Sequence, residues 1–201
     1  MMPEVFEYPD GATPLDPGAL EGLKFPHVET RGDLDQLEQA NIQEGLHWLE
    51  RHKDPDILSV HFACMLHGKL FGQVWDWAGH IRKRELSIGI DPLQVSPQLA
   101  QLLGNAQFWI DEGVFPPLEI ASRLHYQLVY IHPFYNGNGR HARIYADAVL
   151  QKLCGVDPID WTKGVNLQKE NDIRAQYIQA LRDADAGNYA PLFTFTGAAL
   201  D

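Results

Sequence analysis

Cysteine is nearly absent from this 201-residue chain: only Cys64 and Cys154 occur, and neither sits in a CxxC or metal-type spacing. A disulfide framework and a thiolate zinc site are therefore excluded as organising devices. Both cysteines fall inside apolar helical patterns and are expected to be reduced core residues. Basic charge is also scarce. Sixteen Lys and Arg against 27 Asp and Glu give a formal net charge of −11, the wrong sign for tracking phosphate backbones, so nucleic acid is not an expected partner. No apolar run approaches the roughly 20 residues that a bilayer span requires. Met1 to Asp10 lacks the basic and apolar regions of a secretory signal. No membrane partner is expected, and a cytoplasmic location is. The chain has no internal repeat and no low-complexity segment.

What remains is enough apolar residue, 45% of the chain, for one well-buried core, and a length close to that of a single domain. Residues 1–30 carry Pro9, Gly11, Pro14, Pro17, Gly18, Gly22 and Pro26 without sustained periodicity, and read as an irregular arm on a domain spanning 31–201. Thr30 with Asp33 forms a capping pattern before Leu34, Leu37, Ile42, Leu46 and Leu49, which predicts a helix to about Arg51. A second helix is expected from Pro55 to Leu70, closed by Gly72. The aromatic turn Trp75–Gly79 leads into Arg82–Val95, where Leu86, Ile88 and Ile90 alternate as in a small hairpin. Ser96-Pro97 marks the next helix start, ending near Gly113.

Pro116-Pro117 opens another helix, which Pro133 limits, leaving His132 at its C-terminal edge. A further helix from about Arg140 buries Ala142, Ala146, Val149, Leu150 and Leu153 and stops at Gly155. The last long helix runs from about Glu170 to Ala186, and Pro191-Leu192-Phe193 packs the tail. The fold class expected is all-α with one hairpin.

Chemistry concentrates in Ile131–Arg143, a Gly-rich turn between two helices. Gly137 and Gly139 permit backbone geometries in which successive N–H groups face one concavity and join the free donors of the next helix's first turn. Such a nest binds anions. Arg140 and Arg143 stand near a helix N-terminus, where the dipole disfavours cations by roughly 0.3–1 kcal/mol each. A polyphosphate there makes the placement favourable, because guanidinium groups three residues apart share a helix face. His132 approaches from the opposite helix, and a neutral imidazole beside a phosphate chain is suited to take a proton from an incoming hydroxyl. His61, His67, His125 and His141 suggest no transition-metal site. His125 and His132 lie two turns apart, but no carboxylate completes a ligand set.

From His132 to Arg143 the chain resembles the Fic (filamentation induced by cAMP) domain motif, His-x-Phe-x-(Asp or Glu)-Gly-Asn-Gly-Arg-x-x-Arg, departing from it at Asn136. Phe71–Arg82 resembles the family's aromatic-Ala-Gly-x-x-Arg segment. Arg174, Tyr177, Ala180 and Leu181, with Gly187, Pro191, Leu192 and Phe195, resemble its closing helix. Gly11–Leu15, Leu37–Ile42 and the Asn in Pro-Phe-x-Asn-Gly-Asn-Gly-Arg-His are similar to the group called mobile mystery protein B.

The resemblance implies a Fic-type helical domain with a flap, and a toxin-like protein adenylyltransferase. In it His132 deprotonates a Tyr, Thr or Ser hydroxyl of a target protein, which attacks the α-phosphate of ATP and expels pyrophosphate. It further implies that Gly137, Asn138 and Gly139 cradle the phosphates, that Arg140 and Arg143 hold the outer ones, and that Phe134 anchors the loop. Gly139, where the death-on-curing branch has lysine, implies AMP transfer rather than phosphorylation. Leu86, Ser87, Ile88, Gly89 and Ile90 would form the flap that takes a target segment by strand addition. Position 136 implies a Mg²⁺ ligand, and Asn there offers only a neutral oxygen, so weakened metal binding and a weaker enzyme are expected. The family's inhibitory pattern has no match, since Glu44-Gly45 and Glu170-Asn171 lack the upstream hydroxyl; a separate inhibitory partner stays open. Two alternatives also stay open: another nucleotide or phosphodiester donor, and a non-catalytic nucleotide-binding module.

Overall fold

Thr30 opens the first long helix as the sequence predicts: its hydroxyl accepts from Asp33 N–H at 3.2 Å, and helix α2 runs Arg31–Arg51. The computed structural model describes residues 17–28, 30–53, 56–167 and 171–198. The helix starts expected at Pro55 and Glu170, and the opening of the arm, lie outside the described residues. The described part of the arm holds a four-residue helix, α1 (Pro17–Leu20). It is stitched to the aromatic turn by a Leu23–Trp75 bridge. Lys24 N–H also bonds Val74 C=O at 2.9 Å, and the Trp77 indole bonds Ala19 C=O at 2.9 Å.

Helix α3 (Val60–Phe71) starts at Ser59, whose hydroxyl accepts from Phe62 N–H, and ends at Gly72. It packs on α2 closely because Gly45 has no side chain; a Cβ there would come within 2.8 Å of Leu70 Cδ2.

The expected hairpin over Arg82–Val95 is not formed; among the described residues no strand lies there. Residues 82–91 are an irregular loop, and 92–95 already belong to α4 (Pro92–Asp111). Two local facts explain the difference. Asp91 caps Leu93 N–H at 2.8 Å with Pro92 in the first turn, an earlier start than Ser96-Pro97. The Arg82 guanidinium takes the carbonyls of Arg84 and Ile90, acceptors that a ladder would otherwise use. Pro97 is tolerated inside α4 because the carbonyl it leaves unpaired belongs to Leu93, which is 83% exposed.

Helix α5 (Pro117–Ile131) begins at the proline pair as expected, and α6 (Asn138–Val149) begins two residues before Arg140. A π-helical turn, Leu150–Cys154, continues α6 until Gly155 turns left-handed. Asn171 caps α7 (Asp172–Asp185), and α8 (Ala190–Thr196) closes the described chain. The α5–α6 pair is the centre. On one side Leu34, Leu66, Phe71, Leu99, Leu128 and Tyr145 form one core with α2, α3 and α4. On the other, Tyr126, Ala146, Leu150, Trp161, Leu181 and Phe195 form a second with α7 and α8. Cys64 and Cys154 are free but half-buried rather than core positions, and burial raises both thiol pKa values. No helix among the described residues is long and apolar enough to cross a membrane.

Candidate active site

Helix α5 ends where His132 enters the left-handed region at φ 55°, ψ 63°, its N–H still bonded to Leu128 C=O. That reversal, ahead of Pro133, turns the chain into the loop that precedes α6. The imidazole is 4% exposed. Its Nδ1 lies 3.3 Å from Val129 C=O; a carbonyl can only accept, so Nδ1 carries the proton and Nε2 keeps its lone pair. Nε2 is buried with no hydrogen-bond partner among the described residues. Burial lowers the imidazole pKa to about 4, the Val129 carbonyl opposing the shift and the Arg82 charge adding to it. The ring is neutral and holds one unpartnered acceptor.

Across the loop, α6 starts at Gly137 with φ +77° and no side-chain cap. A Cβ there would meet the Phe71 ring at 2.6 Å, so both conformation and space require glycine. Helix geometry leaves the N–H groups of Asn138, Gly139 and Arg140 without intrahelical acceptors, a ready anion site.

The loop's side chains are largely spent on holding it. The Asn138 side chain closes the loop on itself: its amide oxygen accepts from Phe134 N–H at 2.9 Å and its nitrogen donates to Phe134 C=O at 2.8 Å. Phe134 is fully buried and stacks on His67 with ring centroids 3.7 Å apart. His67 Nδ1 accepts from Gly79 N–H, so Nε2 carries the proton and donates to Asn136 C=O at 3.0 Å. The aromatic turn and the loop are thereby tied through one imidazole. His141 donates from Nε2 to Ala63 C=O.

The two arginines are held differently. Arg140 lies over the Phe71 ring at 4.9 Å and forms an ion pair with Glu38 at 2.7 Å. Arg143 donates to the Tyr177 hydroxyl at 3.3 Å, which in turn meets His125 Nε2 at 3.0 Å. A cavity of about 430 Å³ opens beside both guanidinium groups, walled by Gln39, Ile144, Thr162 and Asn166. Glu38, 0% exposed on α2, also accepts from the Trp75 indole at 2.7 Å and from Asn136 Nδ2 at 3.1 Å.

Arg82, 1% exposed, sits behind His132. It donates from Nε to His132 C=O at 2.6 Å and from Nη2 towards Ile131 C=O at 3.4 Å, besides the Arg84 and Ile90 carbonyls. Gly89, at φ +97°, rests on His132; a Cβ would come within 2.6 Å of the His132 Cβ. Beyond it Leu86 and Ile90 are half-buried, while Ser87, Gly89 and Ile88 are exposed.

The profile of the Fic/DOC family matches residues 57–150. These residues form a Fic/DOC family domain. The chain is 30% identical over 144 residues to a protein adenylyltransferase Fic of Nematostella vectensis, covering 70% of this chain and 30% of that protein. It is 28% identical over 151 residues to the protein adenylyltransferase fic-1 of Caenorhabditis elegans, covering 71% and 27%. The chain thus spans under a third of the length of these relatives. Among solved structures, the Bartonella tribocorum BepC protein, with bound AMPPNP, superposes with a TM-score of 0.69 at 18% identity over 95% of this chain and 94% of that one. The C. elegans Fic-1 structure superposes with a TM-score of 0.65 at 23% identity over 90% and 57%.

Within this Fic domain the structure brings His132, Gly137, Gly139, Arg140 and Arg143 to one loop and one helix start. It gives the Asn136 amide nitrogen to Glu38, and sets 86–90 beside His132 as a loop rather than paired strands. His125 does not join His132; it is buried against Trp161 and Tyr177. Sequence reasoning missed two residues. Glu38 had a visible signal, since it falls on the buried stripe between Leu34 and Ile42 at four-residue steps, where a carboxylate needs partners. Arg82 was visible only as the closing arginine of the Phe71–Arg82 segment; its role was not, because its acceptors come from three separate stretches of chain.

Proposed function

We propose that this Fic domain transfers the AMP group of ATP to a Tyr, Thr or Ser hydroxyl of a target protein, with His132 as general base. The observation that carries the reading is the buried, neutral His132 ring with Nε2 unpartnered, in the same loop as an uncapped helix start and two arginines. The target hydroxyl oxygen forms a bond to the α-phosphorus, the bond from that phosphorus to the pyrophosphate oxygen breaks, and the hydroxyl proton passes to Nε2. The N–H groups of Asn138, Gly139 and Arg140 and the two guanidinium groups carry the phosphate charge. Bound phosphates also raise the proton affinity of the imidazole, returning a base lowered by burial towards its working range.

A protein-held Mg²⁺ does not fit these residues. The carboxylate that meets the Asn136 side chain is Glu38, which is fully buried and engaged by Trp75, Asn136 and Arg140. Asn136 leaves only a neutral amide oxygen, a weak ligand for a hard ion. Magnesium therefore enters as part of the nucleotide substrate.

Incubation with α-labelled ATP, Mg²⁺ and a cell lysate, wild type against His132→Ala, tests the proposal. Transfer is expected to fall by about 10²-fold or more in the variant while ATP binding persists. Label transfer unaffected by the substitution would refute His132 as the base; parallel labelled UTP, GTP and CDP-choline would expose a different donor.

A further inference from the structure

We propose that Glu38, on α2 and before the residues that match the family, is the positioning residue of the phosphate corner: its carboxylate fixes Arg140 and the Asn136 amide as one unit. The inference rests on the nucleotide-binding reading above and adds how that site is organised.

The carboxylate is fully buried and its two oxygens divide the work. Oε1 receives the Trp75 indole and Asn136 Nδ2, and Oε2 forms the ion pair with Arg140. A carboxylate accepts only, so the Asn136 amide must turn its nitrogen to α2 and its oxygen away. Arg140 is pinned from two directions, by Glu38 at one edge and by the Phe71 ring against its face. A guanidinium has five N–H donors in a rigid fork, so one ion pair leaves donors of fixed direction for a ligand. Arg140 is ion-paired directly with Glu38, whereas Arg143 donates to the neutral Tyr177 hydroxyl and feels the Asp147 carboxylate only through space. Arg140 contributes direction, and Arg143 contributes charge.

The same geometry explains why an amide stands at 136. A carboxylate there would face the Glu38 carboxylate at about the 3.1 Å now spanned by a hydrogen bond, and two such groups cannot both ionise. The negative charge of this corner is carried by the helix, and the loop carries its hydrogen-bonding complement.

The test uses Glu38→Gln, Asn136→Asp and the exchanged pair E38Q/N136D, each in the His132→Ala background so that ATP affinity is read by calorimetry without turnover. Thermal unfolding of each variant is measured alongside. Glu38→Gln keeps an oxygen for Trp75 but can set an amide nitrogen against Arg140, and is expected to weaken ATP binding about tenfold. Asn136→Asp is expected to lower the Tm and weaken ATP binding, and the exchange to recover both relative to the sum of the single changes. Unchanged ATP affinity in folded Glu38→Gln would overturn the proposal; tighter binding would instead make Glu38 a competitor for the phosphate. Additive Tm effects would show that 38 and 136 are not a unit. If Glu38→Gln alone does not fold, the exchanged pair against Asn136→Asp carries the test. A parent that binds no ATP would refute the nucleotide reading, while the 38–136 coupling would still be read from the Tm values.

Discussion

The loop from His132 to Gly137 and the loop from Arg82 to Asp91 touch at His132, Pro133 and Tyr135 but are built in opposite ways. The first is fixed at almost every position: Phe134 is buried under His67, Asn138 closes on Phe134, Asn136 is held through both its carbonyl and its amide, and Gly137 lies against Phe71. The second has one main fastening, the Arg82 guanidinium, and leaves Ser87 and Ile88 exposed. Preorganisation is worth most where charge must be met in a fixed geometry. A surface that accepts a peptide gains from remaining accessible. The difference is the one that the proposed function requires between a nucleotide side and a target side.

Acid should have the largest effect, acting on the first loop through His132 and His67 and on the helices around it through His125 and His141. Burial lowers His125 to about 3, His132 and His141 to about 4, and His67 well below its ordinary 6.5. Folded values below the unfolded value mean that the unfolded chain takes up protons first, so this stability is full above about pH 6.5 and drains as pH falls towards 4. Asp147 runs the other way: burial raises it to about 6, the folded state binds that proton first, and one of the four losses is offset. The difference of about three protons gives an expected net loss on the order of 4 kcal/mol per pH unit between about pH 6 and 4. Chemical denaturation at stepped pH checks the slope, and a flat profile would contradict it.

Arg82→Ala should break the second loop. It strands carbonyls of Ile131, His132, Arg84 and Ile90, costing about 3 kcal/mol, and hydrogen exchange should accelerate over 83–91 well before 133–138. Equal acceleration in both loops would erase the contrast. Gly137→Ala sharpens it at smaller cost: positive φ and the Phe71 ring together are worth about 2 kcal/mol. Its effect should appear in the urea midpoint and in ATP affinity, with exchange over 83–91 unchanged.

Much of this was legible in the sequence where the cause is local. Thr30 with Asp33, the pair Pro116-Pro117 and the stop at Gly155 act through their own backbone, and the helices they predict are present. The loop that opens α6 was legible too, since glycine spacing and the two arginines lie within one short segment. The hairpin was not, because alternation of Leu86, Ile88 and Ile90 records which side chains face inward, not which carbonyls are already taken; Arg82 takes them from a distance. The start of α4 was misplaced for a different reason, Asp91-Pro92 being a second cap-and-proline pair a few residues upstream of Ser96-Pro97. The side-chain role of Asn138 was hidden because its partner, Phe134, is reached only when the turn has closed.

The left-handed turn at His132 separates what its two halves do. Its carbonyl faces Arg82, its Cβ is the floor on which Gly89 rests, and its ring keeps Nε2 without a hydrogen-bond partner among the described residues. The residue is thus a bearing shared by both loops. A peptide that drew residues 83–90 outward would load the same backbone that aims the imidazole, so under the proposed function the seating of a target and the aim of the base would be mechanically one event.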